Sequence, residues 1–230
     1  MNPIDYRLKR RILRIAVAPL LGRKRSWGWL AQRAELHFHQ NNAWRRTEEF
    51  MRHSEALFEH FGFSPDSFAG KTLIDLGAGS RLRTAYFRDA RLVVIEPLAE
   101  EFLRTVAWCD LGRADQVFSR PAEEYLAELS ESAEGVISIN VLDHCYDLRP
   151  IIANVAAYLK PDGVAFLSFD SHDSTDLLHP LRLDGEVMER AIEETGLVLE
   201  RRTFGLGPLG PMYGHGRAAN YWARKPRSGV

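Results

Sequence analysis

The sequence has few cysteines and no long apolar run. Cys109 and Cys145 are the only cysteines in 230 residues, which excludes a disulfide framework and the spacing of a cysteine-based metal site. No apolar stretch approaches the roughly 20 residues that span a bilayer. The opening also lacks the apolar core and cleavage site of a signal peptide. These absences favour a cytoplasmic protein.

Charge is nearly balanced over the chain but unevenly placed. The formal net charge is −1, yet residues 1–25 carry eight basic side chains and one acidic side chain. Residues 4–18 have the apolar stripe and basic face of an amphipathic helix, so they are candidates for contact with an anionic membrane at its inner face. Packing of that stripe on the rest of the protein is the simpler alternative, and we favour it. The acidic remainder of the chain argues against nucleic acid as a partner.

One stretch has the pattern of a nucleotide-binding βαβ unit. The apolar run Thr72–Leu76 predicts a strand that ends at the glycine loop (residues 77–79, Gly-Ala-Gly), where the backbone can turn tightly and approach a ligand. Residues 81–88 then predict a helix, and Leu92–Ile95 predicts a second strand that ends on Glu96. An acid about 20 residues beyond the glycines suits the hydroxyls of a ribose.

The glycine loop and the acid before it resemble the first motif of the class I S-adenosylmethionine-dependent methyltransferases, acid-x-Gly-x-Gly-x-Gly. The chain has Asp75-Leu-Gly-Ala-Gly-Ser-Arg81, with Arg81 in place of the third glycine. The resemblance implies that Asp75 organises the methionine end of the cofactor and that Glu96 binds the ribose hydroxyls. It also places Pro97 and the loop itself in the cofactor site. The loop residues that the resemblance places in this site are Gly77, Ala78 and Gly79. The resemblance extends from about residue 70 to residue 225.

The remaining pattern predicts an alternating α/β chain. Further strands are predicted at 115–118, 135–139, 164–169, 197–204 and 220–224, with helices at 98–106, 122–128, 148–159 and 184–195. Residues 160–163, Lys-Pro-Asp-Gly, resemble the family's Lys-Pro-Gly-Gly turn before strand five. We therefore predict a doubly wound, seven-stranded, mostly parallel sheet in a methyltransferase domain at 70–230, and the resemblance implies that its last strand is antiparallel. Residues 31–61 predict helices with a break near residue 41, and the resemblance implies that the N-terminal region, residues 1–69, supplies lid helices.

The resemblance implies further cofactor contacts at the ends of strands three and four. Where the family places an acid against the adenine, this chain offers the Ala122 backbone or Glu123; a first-turn acid favoured by a helix dipole is the alternative for Glu123. Residues 140–147, Asn-Val-Leu-Asp-His-Cys-Tyr-Asp, are similar to the family's Asn-Val-Leu-Glu-His-Val-x-Asp segment. Asn140 is the expected partner of the cofactor's amino-acid end. His144 is the candidate active-site base, with a purely structural role as the alternative.

Two loops at the same sheet edge offer candidate substrate residues. The loop after strand five contains a group of acids and histidines: Asp170, His172, Asp173, Asp176 and His179. A solvated polar loop, a substrate site and a divalent metal site are the alternatives, in that order, and the sequence assigns no metal. His172 is the substrate candidate of this loop. Between strands six and seven, the expected topology places Tyr213 and His215 over the substrate side.

These features favour methyl transfer from S-adenosylmethionine to an oxygen or nitrogen of a small molecule. A sugar or lipid-linked glycan is the expected substrate if the basic N-terminus meets a membrane. A catalytically silent cofactor-binding partner subunit is one alternative. A nicotinamide-dependent oxidoreductase is another, and it predicts a complete glycine fingerprint, which fails at Leu82.

Overall fold

The protein is described by a computed structural model that covers residues 22–171, 175, 179–205 and 218–227. The helix predicted over residues 4–18 lies outside the described residues, as do the substrate candidates His172, Tyr213 and His215. Within the described ranges, no helix combines the length and the apolar character needed to cross a membrane.

Seven strands form one sheet. They are β1 (Thr72–Leu76), β2 (Arg91–Ile95), β3 (Gln116–Phe118), β4 (Ala133–Ile139), β5 (Leu159–Asp170), β6 (Val198–Phe204) and β7 (Ala218–Arg224). Their order across the sheet is β3-β2-β1-β4-β5-β7-β6. All neighbours run parallel except β7, which is antiparallel to both β5 and β6. The predicted doubly wound α/β fold with an antiparallel last strand is confirmed.

Helices precede the sheet and connect its strands. The first, α1, is continuous and has three segments: Arg23–Ser26, the π-helical Trp27–Ala31 and Gln32–Asn41. After a 3₁₀ turn at Ala43–Arg46 come α2 (Glu48–His60), α3 (Ala99–Thr105), α4 (Leu148–Tyr158) and α5 (Gly185–Glu194). The break predicted near residue 41 is confirmed by the extended backbone of Asn42. Side chains of Thr47 and Asp184 cap the N-termini of α2 and α5.

Apolar clusters cover both faces of the sheet. Alternation along β1 shows this division, because Ile74 and Leu76 belong to one cluster and Leu73 belongs to the other. Helices α4 and α5 pack into the first cluster. Helices α2 and α3 pack into the second through Phe58 and Phe102, both fully buried. The helix that precedes β1 therefore shares its core with the sheet.

The predicted helix over residues 81–88 is wrong. The segment contains only a 3₁₀ turn, Arg83–Tyr86. Its backbone is tied to a neighbouring loop, because the Leu82 N–H donates to Asp110 Oδ1 at 2.7 Å. Arg81 donates through Nε to the other oxygen of the same carboxylate at 3.2 Å. These bonds hold the start of the segment in a non-helical conformation.

The predicted helix over residues 122–128 is also wrong, since only Ala127–Leu129 forms a 3₁₀ turn. The Tyr158 hydroxyl on α4 accepts from the Leu126 N–H at 2.9 Å, so a side chain takes a backbone group that a helix would use.

The turn predicted at residues 160–163 is present as a bulge within β5. Leu159 pairs with Ala133 and Val164 pairs with Gly135, so the residues between them leave the ladder. Asp162 has a φ of 65°, the left-handed conformation that Asp tolerates better than most residues. An aspartate therefore serves where the family's turn has glycine.

Candidate active site

A cavity of about 960 Å³ opens at the carboxyl ends of β1, β2 and β4. Ligands of open α/β sheets bind at this edge, where the strand order reverses between β1 and β4. The cavity is lined by the predicted base and by all but one of the predicted cofactor residues: Gly77, Ala78, Gly79, Glu96, Pro97, Ala122, Glu123, Asn140 and His144. The exception is Asp75, which is buried in β1.

The glycine loop needs glycine at both of its ends. Gly77 and Gly79 have φ values of 79° and 65°, in the left-handed region. A Cβ atom on Gly77 would lie 2.4 Å from Val141 Cγ1, and one on Gly79 would lie 2.7 Å from His39 Cε1. A side chain at either position would therefore strain the loop and push a neighbouring segment away.

Asp75 is buried near the end of β1, two residues before the glycine loop. Burial raises the pKa of its carboxyl, while the hydrogen bond from Thr84 and the positive charge of Arg83 oppose that rise. Thr84 Oγ1 donates to Asp75 Oδ2 at 2.6 Å. The carboxylate thus acts on the cavity through the segment that carries Thr84 and Arg83.

Glu96 follows β2 and faces the cavity. Its Oε2 accepts the Gly79 N–H and its Oε1 accepts the Leu98 N–H, both at 3.0 Å. Burial raises the pKa of Glu96 to about 7 in spite of these two bonds. A carboxylate fixed beside the glycine loop is suited to a ligand that presents hydroxyl donors.

Glu123 lies at another side of the cavity, next to Ala122. Its Oε1 accepts the N–H groups of Tyr146 at 2.8 Å and Asp147 at 3.3 Å. Its Oε2 is buried and has no hydrogen-bond partner among the described residues, and burial raises the pKa of the carboxyl. The Ala122 carbonyl accepts from Asn154 Nδ2 at 2.8 Å, which fixes the backbone here. A buried acceptor atom without a partner is a place where a ligand donor would bind.

The loop after β4 carries His144 to the cavity. Asn140 begins this loop with a φ of 59°, and its N–H donates to the Ser168 carbonyl on β5 at 2.8 Å. The 3₁₀ turn Leu142–His144 follows. Trp27 Nε1 in α1 donates to the His144 carbonyl at 2.7 Å. The loop is therefore held by the sheet at one end and by the N-terminal helix near the other.

Asp143, His144 and His179 form an Asp-His-His cluster at the cavity wall. Asp143 is almost completely buried, and its Oδ2 lies 3.6 Å from His144 Nε2 and 3.7 Å from His179 Nε2. The two imidazole rings have centroids 4.6 Å apart. The polar loop after β5 was predicted at this edge, and the structure brings His179 from that loop to His144.

His39 in α1 contacts the segment after the glycine loop, and no pattern in the sequence pointed to it. The Ser80 N–H donates to His39 Nδ1 at 3.2 Å, and His39 Nε2 lies 3.1 Å from Glu35 Oε1. Since Nδ1 accepts, the proton is on Nε2 and the ring is neutral. Burial lowers the pKa of His39, in agreement with a neutral ring. The contact joins residues 41 positions apart, so no local signal could have revealed it.

Two arginines line the cavity near the glycine loop and form no ion pair among the described residues. The Arg45 guanidinium lies over the rings of Phe38 and Phe50, 5.3 and 5.2 Å from their centroids. Burial, together with the charge of Arg83, lowers the pKa of Arg45 to about 10. Arg83 donates from Nη2 to the Ile139 carbonyl at 2.9 Å. This part of the cavity is suited to an anionic group.

Comparison with known proteins gives a family match and a curated relative. A family model described as a methyltransferase domain matches residues 43–201. The ubiquinone biosynthesis O-methyltransferase of Caulobacter vibrioides is 30% identical over 118 residues, which are 49% of this chain and 46% of that protein. The chain therefore spans about half the length of the curated relative it matches.

Solved structures share the fold over most of the chain. The 1,6-didemethyltoxoflavin-N1-methyltransferase of Burkholderia thailandensis, solved with 1,6-didemethyltoxoflavin and S-adenosylhomocysteine, matches with a TM-score of 0.62 and 19% identity, covering 91% of this chain and 92% of that one. A S-adenosylmethionine dependent methyltransferase of Mesorhizobium loti matches with a TM-score of 0.56 and 13% identity, covering 74% and 96%. At these identities the likeness shows the fold alone.

Proposed function

Because this chain belongs to the methyltransferase domain family, we propose that it transfers the methyl group of S-adenosylmethionine to an oxygen or nitrogen atom of a small molecule. The predicted family and cofactor are confirmed by the family match and the seven-stranded fold. The acceptor and the role of each residue are the proposal. The observation that carries it is the cavity at the sheet edge, where the glycine loop, Glu96 and two arginines converge.

The cavity offers a complementary group for each part of the methyl donor. The Glu96 carboxylate accepts the ribose hydroxyls, and the glycine loop beside it lets the backbone approach the ligand. The unpartnered Oε2 of Glu123 accepts the adenine amino group. Arg45 and Arg83 bind the carboxylate of the methionine end, with Asn140 on the same cavity wall. The residues present therefore fit this cofactor.

The protein contributes mainly by positioning the reactants. When bound, S-adenosylmethionine supplies a sulfonium methyl group: the acceptor's lone pair bonds to that carbon, the carbon–sulfur bond breaks, and its electrons remain on sulfur. The residues around the cavity hold the two reactants in line and exclude water. A hydroxyl acceptor must also lose a proton, and His144 is the side chain that we propose to receive it. An amine acceptor needs no base before it attacks.

A small acceptor fits the size of the cavity. Helix α1 and the Ala43–Arg46 turn line the cavity, so donor and acceptor must share about 960 Å³. The curated relative is named as an O-methyltransferase, and one structural neighbour holds 1,6-didemethyltoxoflavin. A sugar or lipid-linked glycan belongs to this proposal only if residues 1–25, most of which lie outside the described residues, bring the protein to an anionic membrane.

A product assay tests the proposal. The full chain is incubated with S-adenosylmethionine and with mixtures of phenols, alcohols, sugars and amines, and the products are identified by mass spectrometry. We expect one methylated product and an equal amount of S-adenosylhomocysteine, both strongly reduced in the Glu96→Ala variant. Binding of S-adenosylhomocysteine without any methylated product would favour the silent partner subunit instead.

A further inference from the structure

We propose that the Asp-His-His cluster is a binding site for one divalent transition-metal ion of the Zn²⁺ type. The three candidate ligand atoms, one from each of Asp143, His144 and His179, all lie within 4.8 Å of one another. The site faces the cavity described above, so its role in acceptor binding rests on the proposed methyl transfer.

The distances agree with a shared ion better than with direct hydrogen bonds. Asp143 Oδ2 is 3.6 Å from His144 Nε2 and 3.7 Å from His179 Nε2, both beyond hydrogen-bond length. Metal–ligand bonds of about 2.0–2.2 Å place ligand atoms roughly 3–3.5 Å apart around one ion. A small inward rotation of the two imidazoles would complete the three bonds.

The ligand types select the class of metal. Two imidazoles and one carboxylate suit Zn²⁺ and neighbouring transition metals, whereas Mg²⁺ prefers oxygen ligands. The buried Asp143 carboxylate gains a positive charge beside it when the ion binds, which offsets the cost of its burial. The chemistry of the cluster therefore favours a transition metal over Mg²⁺.

The cluster is held in place and remains open on one side. The Trp27 bond to the His144 carbonyl fixes the loop that carries two of the ligands. The side chains of His144 and His179 keep 27% and 22% of their area exposed, and both line the cavity. Three protein ligands leave a further coordination position, as in catalytic zinc sites. Because that position faces the cavity, an oxygen atom of the acceptor is the ligand class that would fill it.

The metal site is an alternative to the role of His144 as a proton acceptor, because a ring nitrogen that coordinates the ion cannot also accept a proton. The two roles also differ in whether His179 is needed. A single proton acceptor at His144 needs no second imidazole, whereas a metal site needs all three side chains. Loss of turnover in a His144 variant agrees with both roles. Direct metal binding separates them.

The experiment is titration calorimetry of the full chain after removal of metals with a chelator, using Zn²⁺ and, separately, Mg²⁺. We expect one Zn²⁺ per chain and no comparable Mg²⁺ binding. His179→Ala should weaken Zn²⁺ binding at least about 10-fold, since even residues that only support a ligand have effects of that size. Asp143→Asn is the second variant, and it should also weaken Zn²⁺ binding, because the proposed site needs all three side chains. His60 is an exposed histidine on α2, distant in sequence from the three ligands, and serves as the control. The His60→Ala variant should bind Zn²⁺ like the unmodified protein.

Titration of each variant with S-adenosylhomocysteine reports whether its fold and cofactor site are intact. No stoichiometric Zn²⁺ binding, or equal affinity in the unmodified chain and His179→Ala, would overturn the metal site. So would Mg²⁺ binding in preference to Zn²⁺. Absence of S-adenosylhomocysteine binding in the unmodified chain would instead overturn the proposed function. The Zn²⁺ titration would still report on the cluster in that case.

Discussion

The two halves of the cavity are built in different ways. The part that we propose to bind the methyl donor, called the donor half below, consists of the glycine loop, Glu96 and Glu123, and its carboxylates are fixed by backbone N–H groups. The part that we propose to bind the acceptor, called the acceptor half below, consists of Trp27, His144 and His179, side chains from three separate stretches of the chain. The contacts of the donor half therefore depend largely on the backbone and suit one constant ligand. The contacts of the acceptor half depend on single side chains, so a single substitution can alter which acceptor binds.

Replacement of His144 should separate the two halves most strongly. We expect His144→Ala to lower turnover by about 100-fold or more, as loss of a proton acceptor or of a ligand to the ion that binds the acceptor oxygen would do. Affinity for S-adenosylhomocysteine should not change, because the donor half is intact. Steady-state kinetics and calorimetry on the same preparation measure both quantities. Unchanged turnover would remove His144 from the chemistry.

The raised pKa of Glu96 predicts that the unliganded protein loses free energy of unfolding as pH rises. Burial raises this pKa from 4.5 to about 7, so the folded state favours the protonated carboxyl. The resulting stabilisation is present below about pH 4.5 and is lost as pH rises towards 7, a change of about 3 kcal/mol in the free energy of unfolding.

Urea unfolding at several pH values from 5 to 8 checks this pH dependence. The Glu96→Gln variant carries no titrating group at this position, so its unfolding free energy should fall less over the same range. Comparison of the two pH dependences cancels the contributions of the other buried acids. Identical pH dependences in variant and unmodified protein would refute the prediction.

Glycine replacement tests how closely the glycine loop approaches Val141, which lies in the same loop as His144. Gly77→Ala adds a Cβ atom 2.4 Å from Val141 at a φ of 79°, whereas Gly196→Ala adds one at a φ of 75° with no atom within 4 Å. Both variants suffer the backbone strain, and only the first has the collision. We expect Gly77→Ala to lose about 1–3 kcal/mol more unfolding free energy than Gly196→Ala.

Rescue identifies the cause of that difference. Val141→Ala removes the colliding methyl groups, so the double variant Gly77→Ala/Val141→Ala should recover part of the loss. Equal losses in the two single glycine variants would show that the approach of the loop to Val141 is less tight than the structure indicates.

The smallest expected effect concerns the hydrogen bond that joins α1 to the loop carrying His144. Trp27→Phe removes the hydrogen bond to the His144 carbonyl and should lower the free energy of unfolding by about 1 kcal/mol. Trp29→Phe is the matched control, because Trp29 is 47% exposed on the same helix. Denaturant unfolding of both variants gives the comparison. A cost that is the same for both would mean that the Trp27 bond contributes nothing specific.

The donor half could be predicted from the sequence because its parts are close along the chain. Glycines after one apolar run and an acid after the next define the ends of β1 and β2, so Glu96 was placed correctly beside the glycine loop. The helices predicted at residues 81–88 and 122–128 failed for the opposite reason. In the first segment a backbone N–H binds Asp110, 28 residues away along the chain. In the second, a backbone N–H binds Tyr158, 32 residues away.

The acceptor half could be predicted only in part. The family segment pointed to His144, and topology brought the loop after β5 to the same edge. Which histidine of that loop reaches His144 depends on the path of the backbone, which composition does not define. His39 escaped recognition because its contact with the segment after the glycine loop comes from a helix that precedes the sheet.

The central claim is that the donor half binds the methyl donor, and calorimetry of the full chain with S-adenosylhomocysteine and, separately, with NADH tests it most directly. We expect micromolar affinity for S-adenosylhomocysteine alone, weakened by about 1–3 kcal/mol in Glu96→Ala and unchanged in Glu59→Ala, an exposed acid on α2. Binding of NADH in its place, or equal affinity in the two variants, would contradict the account.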